Sequence, residues 1–517
     1  MSVFFKRALL LLTVAGLLSV SLCACAGDTA QGNAGAVSAV SGELSQRSSV
    51  TVGISQDLDS LDPHRAVNAG TGEVLFNLFE GLMKASPDGG VIPAVASDYE
   101  LSDDGKVYTF TLRQGVKFHN GNEVTLEDVL YSLKRCAGSE SDGTPLLSAF
   151  SIVENVEADA EGRVVVTLAE SSLEFLNSMT AAIIPAGSGE TQSTAPVGTG
   201  PFRFVSYTPQ NSMVMEKFSD YWGTPAYLET VTFKIITDVN TQIMGLSGGT
   251  LDMVIHLSNT YATQLSADFT VLMDTMKLVQ ALYINNLVKP FDDVRIRQAM
   301  YYAINVQEVI DFVCDGAGVP TGTSMYPAFT KYFVAELADK YPQDIAKAKA
   351  LLAEAGYPDG FDMTITVPSN YAQHVDTGLV LAQQLSAAGI RADVQEVTWE
   401  TWVSDVYRGR NYEATVSGIA ASDMTAREML VRYASDNSKN FIGFRNEEYD
   451  DVVSRAAASV DPDEQLALYK RAQEILNEQA ASLWLQDLCD LVVLRPGLTG
   501  MTFYATYVLD MSTIHFA

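Results

Sequence analysis

The sequence predicts a large α/β protein, and three observations lead there. Its second half alternates short apolar strand-like runs with apolar stripes at helical spacing. Within it, 361–397 reads as a complete strand–helix–strand unit, for which a right-handed crossover is expected. Finally, 517 residues that are 47% hydrophobic and 19% charged can bury a large core without metals or disulfides. The same composition excludes a disordered chain, a collagen and a coiled coil. With 33 Lys+Arg against 63 Asp+Glu the net charge is −30, and no local basic patch offsets it. Nucleic acid is therefore not an expected partner.

The first residues read as an address. Lys6 and Arg7 form a basic start, and residues 8–22 an apolar run of about fifteen, too short for a spanning helix of about twenty. The run ends at Leu22-Cys23-Ala24-Cys25, which resembles the lipobox of bacterial lipoproteins. That resemblance implies a signal peptide over 1–24, a diacylated Cys25 and lipid anchoring on the extracytoplasmic face of the cell membrane. Residues 25–49 are rich in Ala, Gly and Ser and read as a flexible tether with roughly 25–30 Å of reach. Cys136, Cys314 and Cys489 remain, widely spaced; three buried thiols and one disulfide pair among them both stay open.

The elements follow in order. Val50, Val52 and Ile54 give 49–54 a strand face, stopped at Pro63. Val74, Leu75, Leu78 and Leu82 make 71–82 helical, and Ser86-Pro-Asp-Gly-Gly90 a turn. Residues 107–112 alternate as a strand; Thr125 with Asp128 opens a helix in capping-box fashion. Strands are expected at 202–207, 230–236 and 251–257, with a helix at 239–246 closed by Gly248-Gly249. Helices follow at 294–304, 344–355 (ended by Gly356), 375–388 (ended by Gly389) and 463–479, and strands at 361–367 and 390–397.

Four blocks then carry a strong resemblance. They are Asp59-Ser-Leu-Asp-Pro-His64; 105–121 with Thr125-Leu-Glu-Asp-Val129; Gly198-Thr-Gly-Pro-Phe202 with Tyr221-Trp-Gly223; and Tyr283-Ile-Asn-Asn286, 290–299 and Asn305, followed by 350–361. Their order and spacing resemble the family 5 extracellular solute-binding proteins, the receptor components of oligopeptide, dipeptide and nickel ABC importers. The resemblance implies a two-lobed α/β fold of the periplasmic-binding-protein type (class II, cluster C) with an extra subdomain in the first lobe. Lobe one would comprise 50–88, 187–275 and 492–517, the inserted subdomain 89–186, and lobe two 276–491. It also implies a monomer without cofactor or catalysis. Such a receptor would close on a small peptide and deliver it to membrane-embedded permease subunits.

In peptide-binding members a carboxylate after a Gly-aromatic pair holds the ligand's ammonium. Here that stretch is 414–427, with Gly418 in place and Ile419 where the aromatic belongs. The acid position falls on Ser422, and Asp423 follows, so the ammonium site is assigned to Ser422 and Asp423, with a helix-capping or solvated role for Asp423 as the alternative. Arg427 stands to pair with Asp423 along a helix face or to meet a ligand carboxylate. Trp399 and Trp402 follow the strand 390–397 as cleft aromatics or core. His256 ends the strand 251–257 at a position the family turns toward the cleft, with a purely structural role as the alternative.

Three rival readings remain beside this one. Gly245-Leu-Ser-Gly-Gly249 matches the nucleophile elbow of hydrolases, but a helix precedes it and a strand follows, the reverse of what that chemistry needs. A nickel or metallophore receptor would need few His, and five are present without chelating spacing. A surface lipoprotein that senses a ligand without importing it is the third.

Overall fold

The computed structural model describes residues 47–139, 143–259, 261, 265, 268–420 and 425–517. The signal, the tether through residue 46 with Cys25, and Ser422 and Asp423 lie outside the described residues; the last tether residues, 47–49, are described, and Ser49 already belongs to a strand.

Two sheets organise the chain into two lobes. The first has seven strands in the order Thr270–Thr275, Cys489–Leu494, Met253–Leu257, Ser49–Ile54, Thr230–Ile235, Ser212–Lys217 and Phe202–Thr208. The second has six: Val319–Pro320, Ser482–Asp487, Val279–Ile284, Ala414–Ile419, Phe361–Pro368 and Ile390–Val397. Parallel pairs lie inside each sheet, as crossover connections require; Ser49–Ile54 runs parallel to both of its neighbours. Phe361–Pro368 and Ile390–Val397 are likewise parallel, as the strand–helix–strand reading expects. A separate antiparallel sheet of Ala96–Leu101, Val107–Leu112, Val164–Leu168 and Val153–Ala158 forms the inserted subdomain, its core holding Tyr108, Phe110, Val129 and Leu133.

Local chemistry sets the helix ends. Thr125 accepts from the Asp128 amide at 3.3 Å while Asp128 accepts from the Thr125 amide at 2.8 Å, closing the capping box on Leu126–Cys136. Ile345–Glu354 starts behind the Asp344 cap, and Gly356, at φ +94°, turns the chain out of it. Ser247 ends the helix Val239–Ser247 and a strand follows, so the Gly-Leu-Ser-Gly-Gly run is a helix terminus. One expectation falls short: the helix expected over 71–82 spans only Ala69–Leu75. Asn77 departs from it because its buried side chain donates to the Leu509 carbonyl and accepts from the Met511 amide, tying the chain to the C-terminal segment.

The chain passes between the two sheets twice. Thr270–Thr275 leads through 276–278 into Val279–Ile284, and Ser482–Asp487 leads through Leu488 into Cys489–Leu494. The expected return at 491 lies a few residues past this crossing. The two crossing strands pair antiparallel on both sides, Thr275 with Cys489 and Gln280 with Gln486. Between them Asp487, fully buried, accepts from the Leu278 amide at 3.2 Å. Burial pushes its carboxyl up to about 7.

This makes the hinge pH-dependent with a definite sign. A carboxyl whose folded pKa lies above its ordinary 3.8 contributes stability that is present in acid and lost as pH climbs from about 4 through about 7. Asp487→Asn keeps the accepting oxygen and removes the ionisation. At pH 8 it is expected to raise stability by at most about 4 kcal/mol, at ~1.4 kcal/mol per pKa unit, with the gain vanishing below pH ~4. Thermal melts of both proteins across this range check it.

Candidate ligand-binding cleft

A cavity beside the two crossings is built around His256. The pairing of Met253–Leu257 with Cys489–Leu494 slips between Val254 and Leu257, and His256 inside the slip adopts φ +58°, a strained value for a residue other than glycine. Its ring lies between two carboxylates, with Nδ1 2.9 Å from Asp490 and Nε2 3.0 Å from Glu73. Burial alone would push the imidazole pKa down; the Glu73 and Asp490 charges overcome this and hold it well above the ordinary 6.5. The ring is therefore an imidazolium donating from both nitrogens at neutral pH. Both nitrogens are spent, and among the described residues no group of three His, Cys, Asp or Glu is arranged to hold a metal ion. Lys277 and Asp274 pair with each other on the hinge side of the same cavity.

Lobe two carries an aromatic cluster. Trp399 is 42% exposed and stacks on Trp402, with centroids 5.1 Å apart and planes 9° from parallel, while Tyr371 meets its edge. Trp402 itself is buried, and its indole N–H donates to the Thr415 hydroxyl at 2.9 Å. Of the two tryptophans, only Trp399 offers a face to solvent; Trp402 is the core plate that holds it flat. Behind them a buried polar chain joins Gln486 to Gln280, and Gln280 to His374 and Thr377.

The helix that carries Arg427, Ala426–Val431, starts behind Thr425, whose side chain is the N-cap. Among the described residues the guanidinium pairs with Glu170 of the inserted subdomain at 3.1 Å. Beside it Glu174, 8% exposed, accepts from the Arg427 amide at 3.1 Å and from the Tyr469 hydroxyl at 2.7 Å. The inserted subdomain thereby grips lobe two.

The profile of bacterial extracellular solute-binding proteins, family 5 Middle, matches residues 90–441. The chain belongs to family 5. It is 30% identical to heme-binding protein A of Haemophilus influenzae over 84% of this chain and 85% of that one, and 30% identical to glutathione-binding protein GsiB of Salmonella typhi over 83% and 86%. The periplasmic binding protein DppA of Helicobacter pylori, solved with the peptide STSA, shares its fold: TM-score 0.72, 23% identity, covering 92% of this chain and 99% of that one. Family 5 proteins are substrate-binding components of ABC importers, a receptor class rather than an enzymatic one. Among the described residues no helix is long and apolar enough to cross a membrane.

The family-5 blocks prove to be structural fasteners. Asp62 holds Arg135 with both oxygens, at 3.0 and 2.6 Å, and His64 donates to the Ala182 carbonyl, so the opening loop is clipped to the inserted subdomain. Glu80 accepts from Tyr221, Trp222 and Thr199. Asn286 donates to the carbonyls of Ile442 and Ala481, and Arg297 to those of Ala480, Phe291 and Gln479. Glu73 and Asp490 were missed because neither stands in a block. The available signal was weak: a charge at 490 inside the apolar run 488–494, and one at 73 on a helix whose neighbours point inward.

The histidines give a direct check. Burial pushes His64, His119 and His374 down to about 4. In an NMR titration these three are expected to stay neutral through physiological pH, while His256 remains charged above 6.5. Glu73→Gln removes one of the two carboxylates and is expected to bring the His256 midpoint down.

Proposed function

We propose that this protein is the receptor of an importer that captures small peptides in the cleft and passes them to membrane permease subunits. Two surfaces of complementary kind support the reading: a partly exposed aromatic one at Trp399 and Tyr371 on lobe two, and a carboxylate-rich cavity at Glu73, Asp490 and Asp274 beside the crossings. A peptide offers matching parts, with apolar side chains for the first and ammonium groups for the second. Two relatives point the same way, since glutathione is itself a tripeptide and DppA of Helicobacter pylori was solved with STSA. The ligand's N-terminal ammonium goes to Asp423, with Ser422 beside it. Thr425 already caps the following helix, which leaves the Asp423 carboxylate free of that task. The mature chain is a monomer held to the extracytoplasmic face by lipid on Cys25.

A nickel or metallophore receptor is less well supported, because His256 has both nitrogens committed to carboxylates. Import rather than sensing is read from the family.

Native mass spectrometry of the purified protein is expected to reveal a retained peptide mass; a retained metal complex or porphyrin would overturn the peptide reading. Asp423→Asn is expected to weaken peptide binding by about 1.5–3 kcal/mol, the range for a charge-assisted bond, measured by calorimetry. Cys25→Ala is expected to move the protein from the membrane fraction to the soluble one.

A further inference from the structure

The cavity around His256 carries an unbalanced charge. Its described walls hold three carboxylates, Glu73, Asp490 and Asp274, against two cations, His256 and Lys277. Asp274 and Lys277 neutralise each other, and His256 is shared between Glu73 and Asp490, so one negative charge is left over. Glu73 is 6% and Asp490 8% exposed, and an uncompensated carboxylate at such depth is costly.

A second observation points to what would balance it. Thr506, 7% exposed, lines the same cavity, and its hydroxyl oxygen is buried without a hydrogen-bond partner. Buried polar atoms are rarely left unpaired, and an unpaired acceptor beside excess negative charge suits a cationic donor. The remaining wall includes Tyr504, Tyr507, Leu509 and Met501, rings and aliphatic groups suited to a methylene stem and a cation. In this conformation the free space is about 40 Å³, enough for a water-sized ammonium head. His256 occupies the place between the two acids with a backbone at φ +58°, so it stands where a guest cation would bind.

We propose that this cavity is a specificity subsite for a basic side chain of the bound ligand, with Glu73 as its principal acceptor and Thr506 as a second. A lysine-like ammonium entering here bonds to Glu73 and the Thr506 hydroxyl, and His256 keeps its bond to Asp490. The subsite is separate from the N-terminal ammonium site assigned to Asp423, and it rests on the peptide reading only for the identity of the carrier molecule.

The test is calorimetric, with Ala-Ala-Ala, Ala-Lys-Ala and 1,5-diaminopentane as probes of the mature protein stripped of bound ligand. Ala-Lys-Ala is expected to bind at least roughly tenfold more tightly than Ala-Ala-Ala, about 1.4 kcal/mol. Glu73→Gln should abolish that preference; Glu73→Asp, which keeps the charge, should restore part of it, and Thr506→Val should weaken it. Equal binding of the two peptides to the wild type, or a lysine preference that survives Glu73→Gln, overturns the subsite. Binding of the diamine alone, lost in Glu73→Gln, supports the subsite while overturning the peptide reading. Failure of all three probes overturns both. Should Glu73→Gln not fold, Thr506→Val carries the same comparison.

Discussion

The molecule depends on one constraint: among the described residues the two sheets share two chain crossings, and those crossings are paired to each other. Thr275 opposite Cys489 and Gln280 opposite Gln486 make a short antiparallel ribbon shared by both lobes. Such a ribbon resists shear, because sliding it would break register; the Met276 amide still bonds the Leu488 carbonyl at 2.8 Å, and the strand pairing lapses only at 277–279 and 487. Asp487 sits inside this lapse and bonds the opposite strand, so a buried acid is part of the crossing.

The chemistry of the His256 cavity follows from where the crossings lie. Asp490 stands one residue into the returning strand and reaches His256 on the neighbouring strand, which in turn reaches Glu73 on the first helix. The charged cluster is therefore tied to a crossing strand, since Asp490 lies two residues past Leu488. The aromatic surface lies on lobe two, where Trp402 and Thr415 fix the plane of Trp399. The inserted subdomain meets lobe two through Glu170 with Arg427 and Glu174 with Tyr469.

The residues that made the family recognisable do a different task from the residues around the His256 cavity. Asp62, His64, Asn286 and Arg297 each satisfy several backbone or side-chain partners at once, and a fastener of this kind tolerates little variation in shape. Cleft residues need only suit one guest. A fold can thus be read from its fasteners while its ligand stays unread, which is why relatives at 30% identity carry names as different as heme and glutathione binding.

By itself the sequence determined the α/β class, the strand–helix–strand unit at 361–397, the capped starts at Thr125 and Asp344 and, through its blocks, the two-lobed family. These are set by periodicity and by contacts within a few residues, so they are visible in one dimension. Only the tertiary structure decided the ring of Glu73, His256 and Asp490, three residues spread over more than four hundred positions, and the pairing of Arg427 with Glu170. It also decided that Asn77 ends its helix early, and that Trp402 is core while Trp399 is partly exposed. Each of these depends on which strand lies beside which, and no local pattern encodes that.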